Sequence, residues 1–378
     1  MARAMKSRSS KRGSAHLAPH AAASRDASAW KIRRACGLQI VESHTLGNLD
    51  WLVHGFSTRP GGISELDGKP ALNLGFTDWD QRESVAENRA KFAAALSAGK
   101  MPLVTLRQFH SDVIHVADAP DAEAPKADAL ASRTPGLLLG VQTADCVPIL
   151  LTDTRQRAVA AIHAGWRGTL ARIVVKTLGR MQMEFGTRPR DVVAALGPAI
   201  GRCCYEVGPE VAQAFAAQFP TAADWFDGPF EQLAHGEEPL WLPWLTMMPP
   251  GHVPPPPRVQ LDLRAANRWQ LIDAGVPESR IAVSDLCTAC RTDLLFSYRR
   301  EGAKTGRMMA VIGIRKSDRL QPVFFSLHAA EIKTRQAEAC PTVRSTMNFQ
   351  FQSTRVGRTQ QKHPARASSA RTRGLPFR

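Results

Sequence analysis

The chain has 378 residues, 44% of them apolar and 22% charged, and carries a net charge of +15. That length can close a full hydrophobic core, and no window approaches the roughly 18 uninterrupted apolar residues of a membrane-spanning helix. With no export-type leader and an odd number of cysteines, seven, the sequence reads as a cytoplasmic globular protein with reduced thiols.

The charge is unevenly spread. Residues 1–34 hold nine Lys/Arg against one acid and residues 317–378 hold eleven against three, so each end carries +8 and residues 35–316 are left at −1. The central part is therefore not a basic nucleic-acid surface, and any such contact falls to the tails, the first of which lacks the interleaved aromatics of a stacking platform.

In chain order, residues 1–34 are Ser-, Ala- and Arg-rich without a periodic apolar face, and are expected to be a disordered tail; a transit peptide has the same composition. In "HGFSTRPGGIS", Arg59 precedes Pro60, Gly61 and Gly62, a guanidinium beside a pliable backbone that suits either an anion clamp or a solvated turn. "DQRESVAENRAKFAAALSAG" predicts a helix, with Asp80 and Glu83 as a capping box, Val85, Phe92 and Leu96 on one face and Gly99 at the exit. "GLLLGVQT", "PILLTD", "AVAAIHA", "DVVAALG" and "MMAVIGI" predict strands. "TLARIVVKTLGRMQMEFG" predicts a single helix behind Thr169 as cap, and a third runs from Asp262 to Ala274, ending at Gly275. Residues 228–258, with "PPGHVPPPP", are expected to be an inserted surface loop because proline lacks the amide donor. The segment from 317 on is again expected to be a disordered basic tail, "PVFFSLHAAEI" being the one stretch there able to pack. Strands alternating with helices give an α/β class, a single layered domain of mixed sheets covered by helices over 35–316.

Signatures of the commonest enzyme classes are missing: there is no dinucleotide fingerprint, no P-loop, no nucleophile elbow and no H-E-x-x-H. What remains is a set of metal-type ligands beside apolar strands. Cys146 precedes one strand and His163 ends another; in "LRQFHSDVIHV", His110 and His115 are five apart, so an extended segment lets only one of them join. One such histidine with Cys146 and His163 makes a His2Cys set, three ligands with a fourth position open, the arrangement of a catalytic zinc that activates water in neutral solution. Buried core residues are the plain alternative for each. Cys203-Cys204 with Cys287-x-x-Cys290 is a rival constellation of four thiols, weakened because adjacent side chains point apart.

The motifs "HGFSTRPGGIS", "NLG" at 73–75, "ENRAKFAAAL", "LRQFHSDVIHV", "QTADCVPILLTD", "AAIHAGWRGT", "LGPAIGRCCYEVG", "LDLRAAN" and "DLCTACRTDLLFSYRREGAKTGRMMAVIGI" occur in an order that resembles the YfiH family of laccase-domain proteins, over about residues 51–314. The resemblance implies a compact α/β domain with a zinc held by His110, Cys146 and His163, which chooses His110 over His115. It also implies Arg59 and Asn73 as phosphate or substrate contacts. The implied reaction is phosphorolysis of adenosine, inosine, guanosine or methylthioadenosine to base and ribose 1-phosphate, with adenosine deamination; the partners are then purine nucleosides and phosphate. Two other readings attach to the family, a copper-dependent polyphenol oxidase and a peptidoglycan editing factor. A laccase-type mechanism needs several coppers and many histidines, and only three of the eleven here lie in pocket-forming segments. The basic tails and the Pro-rich insertion depart from the compact family pattern.

Overall fold

The computed structural model describes residues 29–234 and 258–316. The two tails beyond these limits, the segment 235–257 and "PVFFSLHAAEI" lie outside the described residues. Among the described residues no helix is long and apolar enough to cross a membrane.

Two six-stranded mixed sheets form the centre. The first has the order β1(Trp30–Ala35), β2(Leu38–Ser43), β3(Leu52–Ser57), β17(Met308–Ile314), β9(Leu138–Thr143), β6(Leu103–Val104); the second runs β16(Ile281–Val283), β12(Val192–Leu196), β10(Val147–Asp153), β11(Ala158–Ala164), β8(Ala129–Ser132), β7(Ile114–Val116). Neighbours are antiparallel except β6 with β9, β12 with β16 and β7 with β8. A three-stranded sheet, β13(Glu206–Val207), β15(Val259–Leu261), β14(Phe226–Asp227), and the hairpin β4(Pro60–Leu66)–β5(Lys69–Ala71) complete the strands.

The large sheets lie face to face. Leu150, Val159, Ala161, Val193 and Ala195 of the second meet Val41, Phe56, Leu139, Val141, Ala310 and Ile312 of the first in one buried cluster. The opposite face of the second sheet, Val147, Ile149, Leu151, Ala160 and Ile162, packs under helix α4(Ile173–Phe185) through Ile173, Val174, Leu178, Met181 and Phe185, and under α7(Leu263–Asp273) through Leu263, Ala266 and Leu271. The opposite face of the first sheet, with Ile40, Val53, Leu138 and Val311, is covered by α2(Arg82–Ala95) through Phe92. Strands covered on both faces have no polar alternation, which explains why "PILLTD" and "AVAAIHA" are continuous apolar runs. Leu150 is fully buried between the sheets, and truncating such a leucine typically costs about 2–5 kcal/mol. The shorter helices α1(His44–Gly47), α3(Trp166–Leu170), α5(Pro209–Gln218), α6(Phe230–Ala234) and α8(Tyr298–Glu301) sit at strand ends and connections.

The layered α/β class follows the sequence, and several local expectations are corrected. Residues 30–34 belong to no disordered tail: they are most of β1, paired along its whole length with β2, because Trp30 can pack on Phe56, ring centroids 5.5 Å apart. The expected loop 228–258 begins with α6, since "FEQLA" precedes the prolines. The expected capping box is not formed. Helix α2 starts at Arg82 behind Gln81, and the Asp80 carboxylate is instead engaged by the hydroxyl of Ser64 and the amide of Asn73. The helix expected behind Thr169 is broken, because Arg172 adopts a left-handed φ of 58° between α3 and α4. Helix α7 matches its expectation: Asp262 caps it by accepting a hydrogen bond from the Ala265 amide at 3.0 Å, and Gly275 follows with φ 91°.

Candidate metal centre

Cys146 immediately precedes β10, and His163 is the penultimate residue of β11. The antiparallel register sets Pro148 opposite His163 and Val147 opposite Ala164, so thiol and imidazole arrive at the same end of one strand pair. His110 comes from the loop between β6 and β7. That loop is not extended: His110 has φ 62°, so the alternation argument does not govern it. One ligand atom each from His110, Cys146 and His163 lie within 4.8 Å of one another. The Cys146 Sγ is 3.8 Å from His110 Nε2, and the two imidazole centroids are 5.0 Å apart. His115 is elsewhere, on β7, with its Nε2 3.1 Å from the Asp121 carboxylate.

One buried carboxylate organises the histidines. Asp128, just before β8, accepts hydrogen bonds from the amides of Phe109 (3.2 Å), His110 (3.1 Å) and Ser111 (2.7 Å), from the Ser111 hydroxyl (2.7 Å), and from His163 Nδ1 (2.8 Å). Its carbonyl also accepts from the His163 amide at 2.8 Å. A carboxylate on Nδ1 fixes the ring orientation and tautomer and leaves Nε2 for a metal. Burial raises the Asp128 pKa, but His163 and Ser111 outweigh it and hold the carboxyl well below the usual range. Burial likewise pushes the Cys146 thiol up, yet the neighbouring His163 and His110 bring it down to about 6. Burial disfavours charge on His163, while Cys146 and Asp128 lift it to about 9. Each group favours charge on the other: His163 draws the Cys146 thiol toward thiolate, and Cys146 with Asp128 draws the His163 ring toward imidazolium.

The backbone around Cys146 is strained and braced. Asp145 has φ 93°, an unusual value for a residue with a side chain. Its carboxylate accepts from the Thr288 hydroxyl and the Arg299 amide, each at 2.6 Å, and its carbonyl from the Ile200 amide at 2.9 Å. Space above the trio depends on Gly165. A Cβ there would lie 2.9 Å from Cys146 Sγ and 3.0 Å from His110 Cδ2.

The remaining candidates are placed differently. Arg59 forms an ion pair with Glu301, donates to the Thr292 carbonyl at 3.1 Å and lies over the Phe296 ring at 5.2 Å. Asn73 is fully buried; its amide donates to the Gly75 carbonyl, Thr77 Oγ1 and Asp80 Oδ2, while its oxygen accepts from the Gly75 and Arg307 amides. Two residues were missed by sequence reasoning. Asp128 stands as a single acid before the apolar run "ALAS", the one available hint. Arg307 gave none. Among the described residues its half-buried guanidinium donates only to the Thr305 and Gly306 carbonyls, at 3.2 and 3.1 Å, and it lies 5.7 Å from the Tyr298 ring centroid. Burial lowers its pKa against the opposing pull of Tyr298, Asp145 and Cys146. Among the described residues it has no carboxylate at ion-pair distance. A second group of ligand-type side chains, Cys203, Cys204, Cys287 and Cys290, also has its sulfurs within 4.8 Å of one another, although the adjacent pair was expected to diverge.

Residues 53–315 match the family described as multi-copper polyphenol oxidoreductase laccase. The purine nucleoside phosphorylase of Bacteroides thetaiotaomicron is 35% identical over 295 residues, 76% of this chain and 98% of that protein. The adenosine deaminase RL5 of an unknown prokaryotic organism is 36% identical over 265 residues, 68% of this chain and 91% of that protein. The crystal structure of YlmD from Geobacillus stearothermophilus superposes with a TM-score of 0.62 at 33% identity, covering 76% of this chain and 99% of that one. With relatives and fold agreeing over the residues that carry the His–Cys–His trio, the chain belongs to the YfiH-type laccase-domain family.

Proposed function

We propose that the chain is a zinc-dependent purine nucleoside phosphorylase acting on adenosine, inosine, guanosine and methylthioadenosine, with adenosine deamination as a second activity. The observation that carries the reading is the convergence of His110, Cys146 and His163 on one point, in a chain whose relatives bear both names. The donor set suits zinc. One thiolate and two imidazoles leave a tetrahedral corner open, Asp128 already orients one ring, and Gly165 keeps the approach clear of side-chain atoms. Zinc bound there would supply Lewis acidity and an activated water for attack on a purine.

The rest falls to the chain's own residues. Arg307, electrostatically within reach of Cys146 and unmatched by a carboxylate among the described residues, is assigned the phosphate, which it would hold for attack at the sugar anomeric carbon. Phe109 and Tyr298, about half exposed, offer ring faces to a purine. Arg59 and Asn73 are assigned to the pocket wall: Arg59 could reach an anion only by exchanging Glu301, and Asn73 is enclosed by its hydrogen bonds. The copper oxidase reading has less support. Among the described residues the second ligand cluster is all cysteine, not the histidine-rich set that multicopper electron transfer uses.

The test is incubation of metal-analysed protein with adenosine, with and without phosphate. Adenine and ribose 1-phosphate are expected only with phosphate, and inosine in its absence. Cys146→Ala should abolish both products and lower metal content; turnover surviving in that variant would overturn the assignment.

A further inference from the structure

Four cysteines outside the candidate centre, Cys203, Cys204, Cys287 and Cys290, have no part in the proposed reaction. Cys203 and Cys204 follow β12 in a turn in which the amides of Cys204 and Tyr205 both bond the Gly201 carbonyl, at 2.9 and 3.0 Å. That tight turn keeps two adjacent side chains on one side. Cys287 and Cys290 come from the loop after β16, which continues the parallel pairing of β12 with β16 through a bridge between Ala199 and Cys287. All four are free thiols.

The sulfur geometry is that of a single ion. The Cys290 Sγ lies 3.4 Å from that of Cys204 and 3.6 Å from that of Cys203, and all four sulfurs fall within 4.8 Å of one another. Four thiolates on tetrahedral zinc, with Zn–S near 2.3 Å, stand about 3.8 Å apart. An iron–sulfur cluster would spread its cysteines wider, because sulfide bridges and further irons sit between them. Two of the four sulfurs already have hydrogen-bond donors suited to a thiolate. The Gly201 amide donates to Cys287 Sγ at 3.1 Å, and the Arg300 guanidinium lies 3.8 Å from Cys204 Sγ while also donating to the Ala289 carbonyl. Cys287-x-x-Cys290 has the ligand spacing of closed structural zinc sites.

The geometry points to a second, structural zinc held by Cys203, Cys204, Cys287 and Cys290, stapling the loop after β12 to the loop after β16. Its place in the fold gives it a purpose. Thr288, between the two ligands of the second loop, donates its hydroxyl to Asp145, and Ile200, just ahead of the first pair, donates its amide to the Asp145 carbonyl. The staple therefore braces the left-handed residue that presents Cys146. It is a positioning element for the neighbouring centre and is independent of which reaction that centre performs.

The experiment is metal analysis of the full chain, purified from zinc-replete cells under reducing conditions, beside Cys146→Ser and Cys290→Ser. Two zinc ions per chain are expected in the parent protein and one in each variant. X-ray absorption of Cys146→Ser, which keeps the four-cysteine group intact, should show a shell of four sulfurs. One zinc or fewer in the parent protein with none left in Cys146→Ser overturns the proposal, as does a nitrogen- or oxygen-containing shell, iron in place of zinc, or a disulfide within the group. If the first centre holds no metal, the parent protein and Cys146→Ser should both retain one zinc, so failure of the catalytic reading and failure of this one give different counts. Should Cys290→Ser not fold, titration of Cys146→Ser with a mercurial still decides it, because its one zinc must be released as the four thiols of the group are blocked.

Discussion

Replacing Gly165 with alanine adds one carbon at the crowded face of the candidate centre. The backbone tolerates it: φ −79° and ψ 178° are open to any residue, although alanine is a poorer helix N-cap than glycine by up to about 1 kcal/mol. The new Cβ would stand 2.9 Å from Cys146 Sγ and 3.0 Å from His110 Cδ2, whereas nonbonded heavy atoms rest at about 3.5–4.0 Å. Two ligands must therefore retreat by roughly 0.5 Å or more, while metal–ligand bonds hold their lengths within about 0.2 Å. Overpacking of this kind costs about 1–3 kcal/mol. Taken from binding, that weakens zinc affinity by roughly 5- to 150-fold, at 1.4 kcal/mol per factor of ten. Competition against a chromogenic chelator measures it directly. A double-mutant cycle locates it: in a Cys146→Ala background the closest clash is gone, and most of the cost of Gly165→Ala should vanish. Unchanged zinc affinity in Gly165→Ala, or an equal effect in both backgrounds, would refute the claim that these ligands close on one ion beneath that glycine.

Three further outcomes are expected. Asp128→Asn removes the charge that His163 Nδ1 and three amides share, and should lower metal affinity by about 10- to 100-fold with the fold retained in circular dichroism; affinity within twofold of the parent would contradict it. Arg307→Ala should raise the phosphate KM about tenfold or more and leave phosphate-independent deamination within a few-fold, and an equal loss of both would remove it from the anion site. Buried His54 accepts the Ser43 amide at 3.1 Å on Nε2, and burial lowers it to about 4 despite the opposing pull of Glu42. The unfolded chain then binds this proton more readily than the native state between pH 6.5 and 4. Stability is full above pH 6.5 and falls as pH drops through that window, by up to about 3 kcal/mol. Urea unfolding at pH 7 and pH 4.5, repeated on His54→Gln, should show the slope in the parent and a flatter one in the variant.

What could be read from the sequence depended on how local the determining contacts are. β11 and β17 coincide with "AVAAIHA" and "MMAVIGI" because strands covered on both faces are uninterrupted apolar runs bounded by turn residues. Helix α7 announced itself through Asp262 and Gly275, whose roles are set within one turn of chain. Asp80 deceived because a distant partner, Asn73, competes for the carboxylate that would have capped α2. The break at Arg172 was hidden because the apolar spacing continues across it, while the guanidinium finds the Phe219 ring, 4.8 Å away. Of the candidate centre, Cys146 and His163 were visible at their strand ends. Spacing could not choose His110 over His115, since the choice rests on an Asp128 that binds three successive amides of a non-extended loop. The four-cysteine group was discounted on the rule that neighbouring side chains diverge, which the turn at Gly201 suspends.

Strand β1 closes one end of the first sheet and, among the described residues, is hydrogen-bonded on one side only, to β2. Such an open edge is a template on which another polypeptide can add itself, the first step of aggregation. Lys31, Arg33 and Arg34 line it, two of them tethered to Glu42, at 3.3 and 2.8 Å. Cations that look like the tail of a basic arm work in the fold as insulation: an intruding strand would have to strip their hydration and lie against a row of like charge.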